Sequence, residues 1–296
     1  MKKILICLLL FTLLFCQSAY AESTEVRIAL IDTGISSDVI DNSKIIKGYN
    51  YLDPSMDTKD LKGHGTAVAG IIVGSKTVSI KGVAPDAELV PLVVCTKTKN
   101  DKTVVGDCDI LAQAIRDAID IYACKIINIS AGTLSNTESL EKAVQYAEDK
   151  QVIIISSVGN DNKNYPENIY YPAANDTVLG VSALKKNGEV ASFTQRNNSV
   201  DICAPGDRLK LSSITKGKTT FGSGTSYATA YVSGAAAVLL SKYPNLTPKE
   251  LRQIIFESAD DLGSEGYDTT SGWGALNLDA ALTYQSQLVS VSDNSN

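Results

Sequence analysis

The sequence holds a single histidine, a single tryptophan and two methionines among 296 residues. It has no surplus of positive charge: 27 basic against 33 acidic residues leave a net charge of −6. A protein that neutralises phosphates is expected to be basic, so nucleic-acid binding is set aside. No apolar run reaches the roughly 20 residues needed to cross a bilayer. Long charge blocks, internal repeats and interdomain linkers are also missing. With 44% hydrophobic and 20% charged residues, the composition excludes a disordered chain, a collagen-like chain and a coiled coil.

What is present begins with an export signal. Met1-Lys2-Lys3 is basic, residues 4–15 are nearly all apolar, and Ala19-Tyr20-Ala21 is a small-x-small cleavage site. Residues 1–21 therefore read as a secretory signal peptide, which predicts a secreted protein with no membrane attachment after cleavage. Leu13-Leu14-Phe15-Cys16 has the outline of a lipobox, but bulky Phe15 stands where a small residue is usual. Cleavage removes Cys7 and Cys16 and leaves Cys95, Cys108, Cys124 and Cys203 outside the cytoplasm, where disulfides persist. Cys95–Cys108 is the favoured pair, because it closes the polar loop 96–107. Such a bridge contributes about 3 kcal/mol when unstrained. Cys124 and Cys203 lie in apolar contexts and fit buried free thiols equally well.

The remainder alternates strand and helix signals. Residues 26–31, 87–94, 125–130, 152–156, 178–181 and 199–204 read as strands. Residues 109–122 and 138–149 have helical spacing, and 227–240 is an Ala-rich, apolar helix suited to a central position. Thr247-Pro248-Lys249-Glu250 is a capping box with proline at the first helical position, opening a helix to about Ser258. This alternation predicts a single-domain, doubly wound α/β fold with a mostly parallel central sheet. The domain is expected over 22–285, with a polar, frayed tail over 286–296.

Four short segments stand out chemically. The lone histidine sits in Gly63-His64-Gly65-Thr66, ahead of a small, apolar helix-like run. Most single histidines have no chemical role, but flanking glycines leave this imidazole accessible, and a hydrolase needing a base near neutrality has no other. Ile31-Asp32-Thr33-Gly34 ends the first strand, so Asp32 lies at the carboxyl edge of the sheet, where such folds bind ligands. The triplet also occurs in aspartic proteases, but those need two such carboxylates, and no second copy exists. Ser226, in Gly224-Thr225-Ser226-Tyr227, opens the Ala-rich helix beside free backbone N–H groups. Alone it would be a plain helix cap. Asn160, after Ser156-Ser157-Val158-Gly159, can turn its amide toward the same edge or serve as an ordinary turn residue.

Together these segments run in the order Asp, His, Ser. The chain resembles the subtilisin-like serine proteases, the subtilases, over nearly its whole length. The resemblance includes Gly82-Val83-Ala84-Pro85, Ile127-Asn128-Ile129-Ser130, Ala204-Pro205-Gly206 and Gly272-Trp273-Gly274-Ala275-Leu276-Asn277. It implies a serine endopeptidase with Asp32, His64 and Ser226 as catalytic triad and Asn160 in the oxyanion hole. A polypeptide substrate is implied as an added strand between Ser130-Ala131-Gly132 and Val104-Val105-Gly106. The pocket for the residue before the cut would be walled by Ser130, Ala131, Gly132 and by Ser157, Val158, Gly159. Tyr170 would narrow its floor, and Asp161 at its rim would favour a basic residue. No cofactor is required. A structural calcium ion occurs in the family, but the corresponding residues 74–81 lack Asn and Asp and carry Lys76 and Lys81, so it is disfavoured here. A monomer is expected. Ala230, Tyr231 and Tyr227 stand where the family usually has Pro, His and Met. Only ten residues separate Ala21 from Asp32, too few for the pro-domain of secreted relatives. Leader-processing subtilases such as lantibiotic leader peptidases share that trait, so a narrow processing role stands beside a broad degradative one. A catalytically silent binding protein and a non-proteolytic esterase are the alternatives from other classes.

Overall fold

A computed structural model describes residues 25–97 and 103–293. The expected signal peptide lies outside the described residues. Seven parallel strands form the central sheet: β1 (Arg27–Asp32), β2 (Tyr49–Asn50), β3 (Glu88–Val93), β6 (Ile126–Ile129), β7 (Ile153–Ser157), β8 (Leu179–Leu184) and β9 (Ile202–Pro205). Their spatial order is β2-β3-β1-β6-β7-β8-β9. Two antiparallel hairpins are added, β4 (Cys95–Lys97) with β5 (Thr103–Val105), and β10 (Leu209–Ser212) with β11 (Thr219–Gly222).

The sheet is covered on both faces, so its strands are apolar on both faces. In β1, Ile28 and Leu30 pack into one core with helices α1 (His64–Val73) and α4 (Thr225–Lys242). Ala29 and Ile31 enter the opposite core, with α2 (Cys108–Asp120) and α3 (Glu138–Asp149). Each fully buried Ile or Leu is worth about 1.5–3 kcal/mol. Helix α4 sits centrally, and its small residues allow close packing: a Cβ on Gly234 would come within 2.7 Å of Val83 Cβ. Helix α5 (Pro248–Glu257) begins with the expected capping box.

Two departures from the sequence expectation concern the periphery. Helix α6 (Leu278–Asp293) continues through residues expected to form a frayed tail. All four cysteines of the described chain are free, so the Cys95–Cys108 bridge does not form. The β4–β5 pairing sets Cys95 opposite Val105. The Cys95 thiol takes a contact from Lys62 Nζ at 3.6 Å, whereas Cys108 opens α2 with its thiol 3.6 Å from Thr133 Oγ1. Burial pushes the Cys124 and Cys203 thiols up to about 12.

The chain leaves β1 for β2 and β3 on one side and returns to β6 on the other. The crevice outside the carboxyl ends of β1 and β6 is therefore the topological switch point.

Candidate active site

Asp32 closes β1 at this crevice, with 3% of its surface exposed. One carboxylate oxygen accepts the Thr33 N–H at 2.7 Å. The His64 Nδ1 lies 2.8 and 2.9 Å from the two oxygens. This contact keeps the proton on Nδ1 and leaves the Nε2 lone pair for another partner. Burial pulls the His64 pKa down, but the charge and hydrogen bond of Asp32, with help from Asp60, outweigh it, and the net direction is up from 6.5. A Cβ on Gly65 would come within 3.1 Å of Gly34 N and 3.2 Å of Asp32 Oδ1, so the residue after the histidine must be glycine for β1 and α1 to meet.

The loop before α1 is organised by a carboxylate the sequence reading passed over. Asp60 is buried and accepts five hydrogen bonds: from Thr33 Oγ1 (2.9 Å), Lys62 N (2.8 Å), Gly63 N (2.8 Å), Thr66 N (2.9 Å) and Thr66 Oγ1 (2.7 Å). Gly63 at the N-cap offers no side chain. Asp60 supplies the missing acceptor and the negative charge that a helix N-terminus favours. Thr33 Oγ1 accepts the Gly65 N–H at 2.9 Å, so β1 and α1 are clamped together from both sides.

Ser226 stands in the first turn of α4, where its N–H has no intrahelical acceptor. Its Oγ donates to the Ser130 carbonyl at 3.1 Å. Ser130 Oγ in turn donates to the Ser226 carbonyl at 3.3 Å. Behind this pair, buried Asn128 donates to Ser130 Oγ at 3.0 Å and accepts from Ser233 Oγ at 2.9 Å. A polar chain thus ties α4 to the end of β6. Asn160 Oδ1 accepts from Thr225 N (2.9 Å) and Thr225 Oγ1 (3.1 Å), which turns its Nδ2 donor toward the Gly224–Ser226 turn. The Tyr227 ring lies beside the imidazole, with centroids 5.4 Å apart and an interplanar angle of 35°.

One expected substrate edge lies at the end of β5 and the other follows β6. Val105 is exposed on β5, and Gly106 N–H donates to the Val94 carbonyl at 2.7 Å, anchoring the hairpin to the end of β3. Ser130, Ala131 and Gly132 follow β6, while Ser157 ends β7 and Val158 and Gly159 lead on to Asn160. The Val158 side chain is buried with Ala173 and Val200, so this residue offers the crevice backbone only. Asp161 accepts the Tyr170 hydroxyl. Among the described residues no group of three or more His, Cys, Asp or Glu side chains could hold a metal ion, and no helix is long and apolar enough to cross a membrane.

The model of the Subtilase family matches residues 23–274. The chain is 35% identical over 261 residues to the thermophilic serine proteinase of Bacillus sp. (strain AK1), an alignment covering 87% of this chain and 62% of that protein. It is 31% identical over 267 residues to subtilisin DY of Bacillus licheniformis, covering 90% and 93%. A solved lanthipeptide protease matches with a TM-score of 0.75 at 26% identity, covering 88% of this chain and 87% of that one. A family match running from ahead of β1 to beyond α5, over a shared parallel-sheet architecture, means that this chain belongs to the subtilase family.

Proposed function

We propose that this protein is a secreted serine endopeptidase that cleaves polypeptides through an acyl-enzyme. The observation that carries the proposal is the Asp32–His64 contact at the switch point beside a serine on a helix N-terminus. For attack, Ser226 Oγ turns from the Ser130 carbonyl to His64 Nε2, a rearrangement typical of sites without substrate. Oγ then adds to the peptide carbonyl as its proton passes to Nε2. His64 delivers that proton to the leaving amine, and water releases the acyl group by the same route. Asp32 stabilises the imidazolium. The Ser226 N–H and Asn160 Nδ2 receive the oxyanion. The peptide lies as an added strand between residues 130–132 and 104–106. No cofactor takes part, and the enzyme acts as a monomer. The likeness to a lanthipeptide protease fits a narrow processing role, which stands beside a broad degradative one.

Labelling with a fluorophosphonate tests the proposal. A single adduct is expected on the protein, and none on Ser226→Ala. Folded protein that takes no label would instead be a subtilase-fold binding protein.

A further inference from the structure

Strands β6 and β7 are neighbours, pairing up to Ile129 and Ser156. Beyond that pair their chains continue as residues 130–132 and 157–159, leaving a slot between them. Ser226 Oγ touches the Ser130 carbonyl at one lip, and Asn160 ends the other. A peptide carbonyl held at Ser226 and Asn160 sends the side chain on its acyl side into this slot.

The slot is already occupied. The Tyr170 ring lies between its two walls. A Cβ on Gly132 would stand 3.3 Å from both Tyr170 Cβ and Cδ1, and a Cβ on Gly159 would come within 2.6 Å of Tyr170 Cε2. Both walls are bare at these positions, and the aromatic ring takes up the space. It is held there from several directions. The Tyr170 hydroxyl donates to Asp161. Tyr171 exchanges backbone hydrogen bonds with Thr133, at 2.8 and 2.9 Å. Buried Gln195 donates to the Tyr165 and Asn168 carbonyls at 2.9 and 2.7 Å, and its own N–H reaches the Gly159 carbonyl at 3.2 Å. The segment carrying Tyr170 is therefore fastened to both walls.

Resting on the protease reading above, we infer that Tyr170 is a specificity-determining residue that closes the slot to large side chains, so that the substrates are polypeptides cut after glycine, alanine or serine. A filled pocket rejects surplus volume, because neither the ring nor the walls can retreat without breaking the bonds just named. The same arrangement argues against a preference for basic residues. The Asp161 carboxylate is engaged by the phenol, which stands between it and the slot.

The test is a set of matched peptides that differ only at the residue before the cut, assayed on the protein and on Tyr170→Gly. Fluorophosphonate labelling of Ser226 runs alongside, since it is independent of that residue. The expected result is labelling, with kcat/KM for alanine about 10²-fold above phenylalanine, leucine or lysine, in the range by which pocket volume discriminates. In Tyr170→Gly the ratio of kcat/KM for phenylalanine to that for alanine should rise by a similar factor. Asp161→Asn, which weakens the anchor and keeps the ring, should relax the preference partly. Should Tyr170→Gly fail to fold, the profile of the unaltered protein decides alone. Labelled protein that cuts after phenylalanine or lysine as well as after alanine would overturn this inference and leave the protease reading standing. Folded protein without label or cleavage would overturn both.

Discussion

The two halves of the crevice hold their key side chains with different firmness. On the base side, Asp60 takes five hydrogen bonds, Thr33 bridges two elements, and Asp32 holds His64 by both oxygens. On the Ser226 side, the hydroxyl has one bond, to the Ser130 carbonyl, which the proposed attack requires it to leave. The firm half fixes a tautomer and a ring plane, which small errors would spoil. In the proposed mechanism the loose half carries an atom that must travel between two partners during turnover. In that mechanism firmness is placed where orientation matters, and freedom where the new bond forms.

Substitutions can break or sharpen this contrast. The largest effect is expected from Asp32→Asn, which keeps the shape of the firm half but permits the wrong tautomer. kcat should fall by about 10⁴, the loss that the same change causes in a serine protease triad, with fluorophosphonate labelling slowed in parallel. Asn160→Ala removes one donor from the loose half. Its expected cost is about 10²–10³ in kcat with KM nearly constant, the range known for the oxyanion asparagine of subtilisin. Asp60→Asn should have the smallest effect on rate. It weakens the bonds at the start of α1 and should lower Tm, corresponding to about 1–3 kcal/mol for poorly satisfied buried groups. It also has a diagnostic in pH. In the proposed mechanism His64 acts as a base only when neutral, and its pKa lies above the ordinary 6.5. Activity should therefore rise with pH through a midpoint above that value. Removing the Asp60 charge should move this acid limb to lower pH, which a substitution harming only stability would not do.

The sequence exposed the firm elements more fully than the loose ones. Strands β6 and β7 and helix α3 were legible because burial on one or both faces leaves a plain apolar pattern. The hairpins β4–β5 and β10–β11 were not. They lie outside the central sheet, and exposed Val105 and Phe221 give no clean alternation. Asp32, His64 and Ser226 were marked by glycines and by their order. Asp60 was hidden in the charged stretch Asp57-Thr58-Lys59-Asp60-Leu61-Lys62. Its burial is decided by Thr33 and Thr66, which only the folded chain brings to it. The pairing of Cys95 with Cys108 failed for a related reason: loop length says nothing about where two side chains point.

Helix α4 packs against α1 and against β6, β7, β8 and β9, and it carries Ser226 at its tip. It can settle only after strands distant in sequence have met, since Arg27 pairs with Glu88 and Ile28 with Ile126. Assembly of such non-local pairings is slow. A central helix that cannot leave without giving up its packing on α1 and on β6 to β9 makes escape slow as well. Under the proposed activity each copy meets others able to cut polypeptides, and its lifetime is governed by how rarely this one rod is drawn out, rather than by the equilibrium margin of the fold.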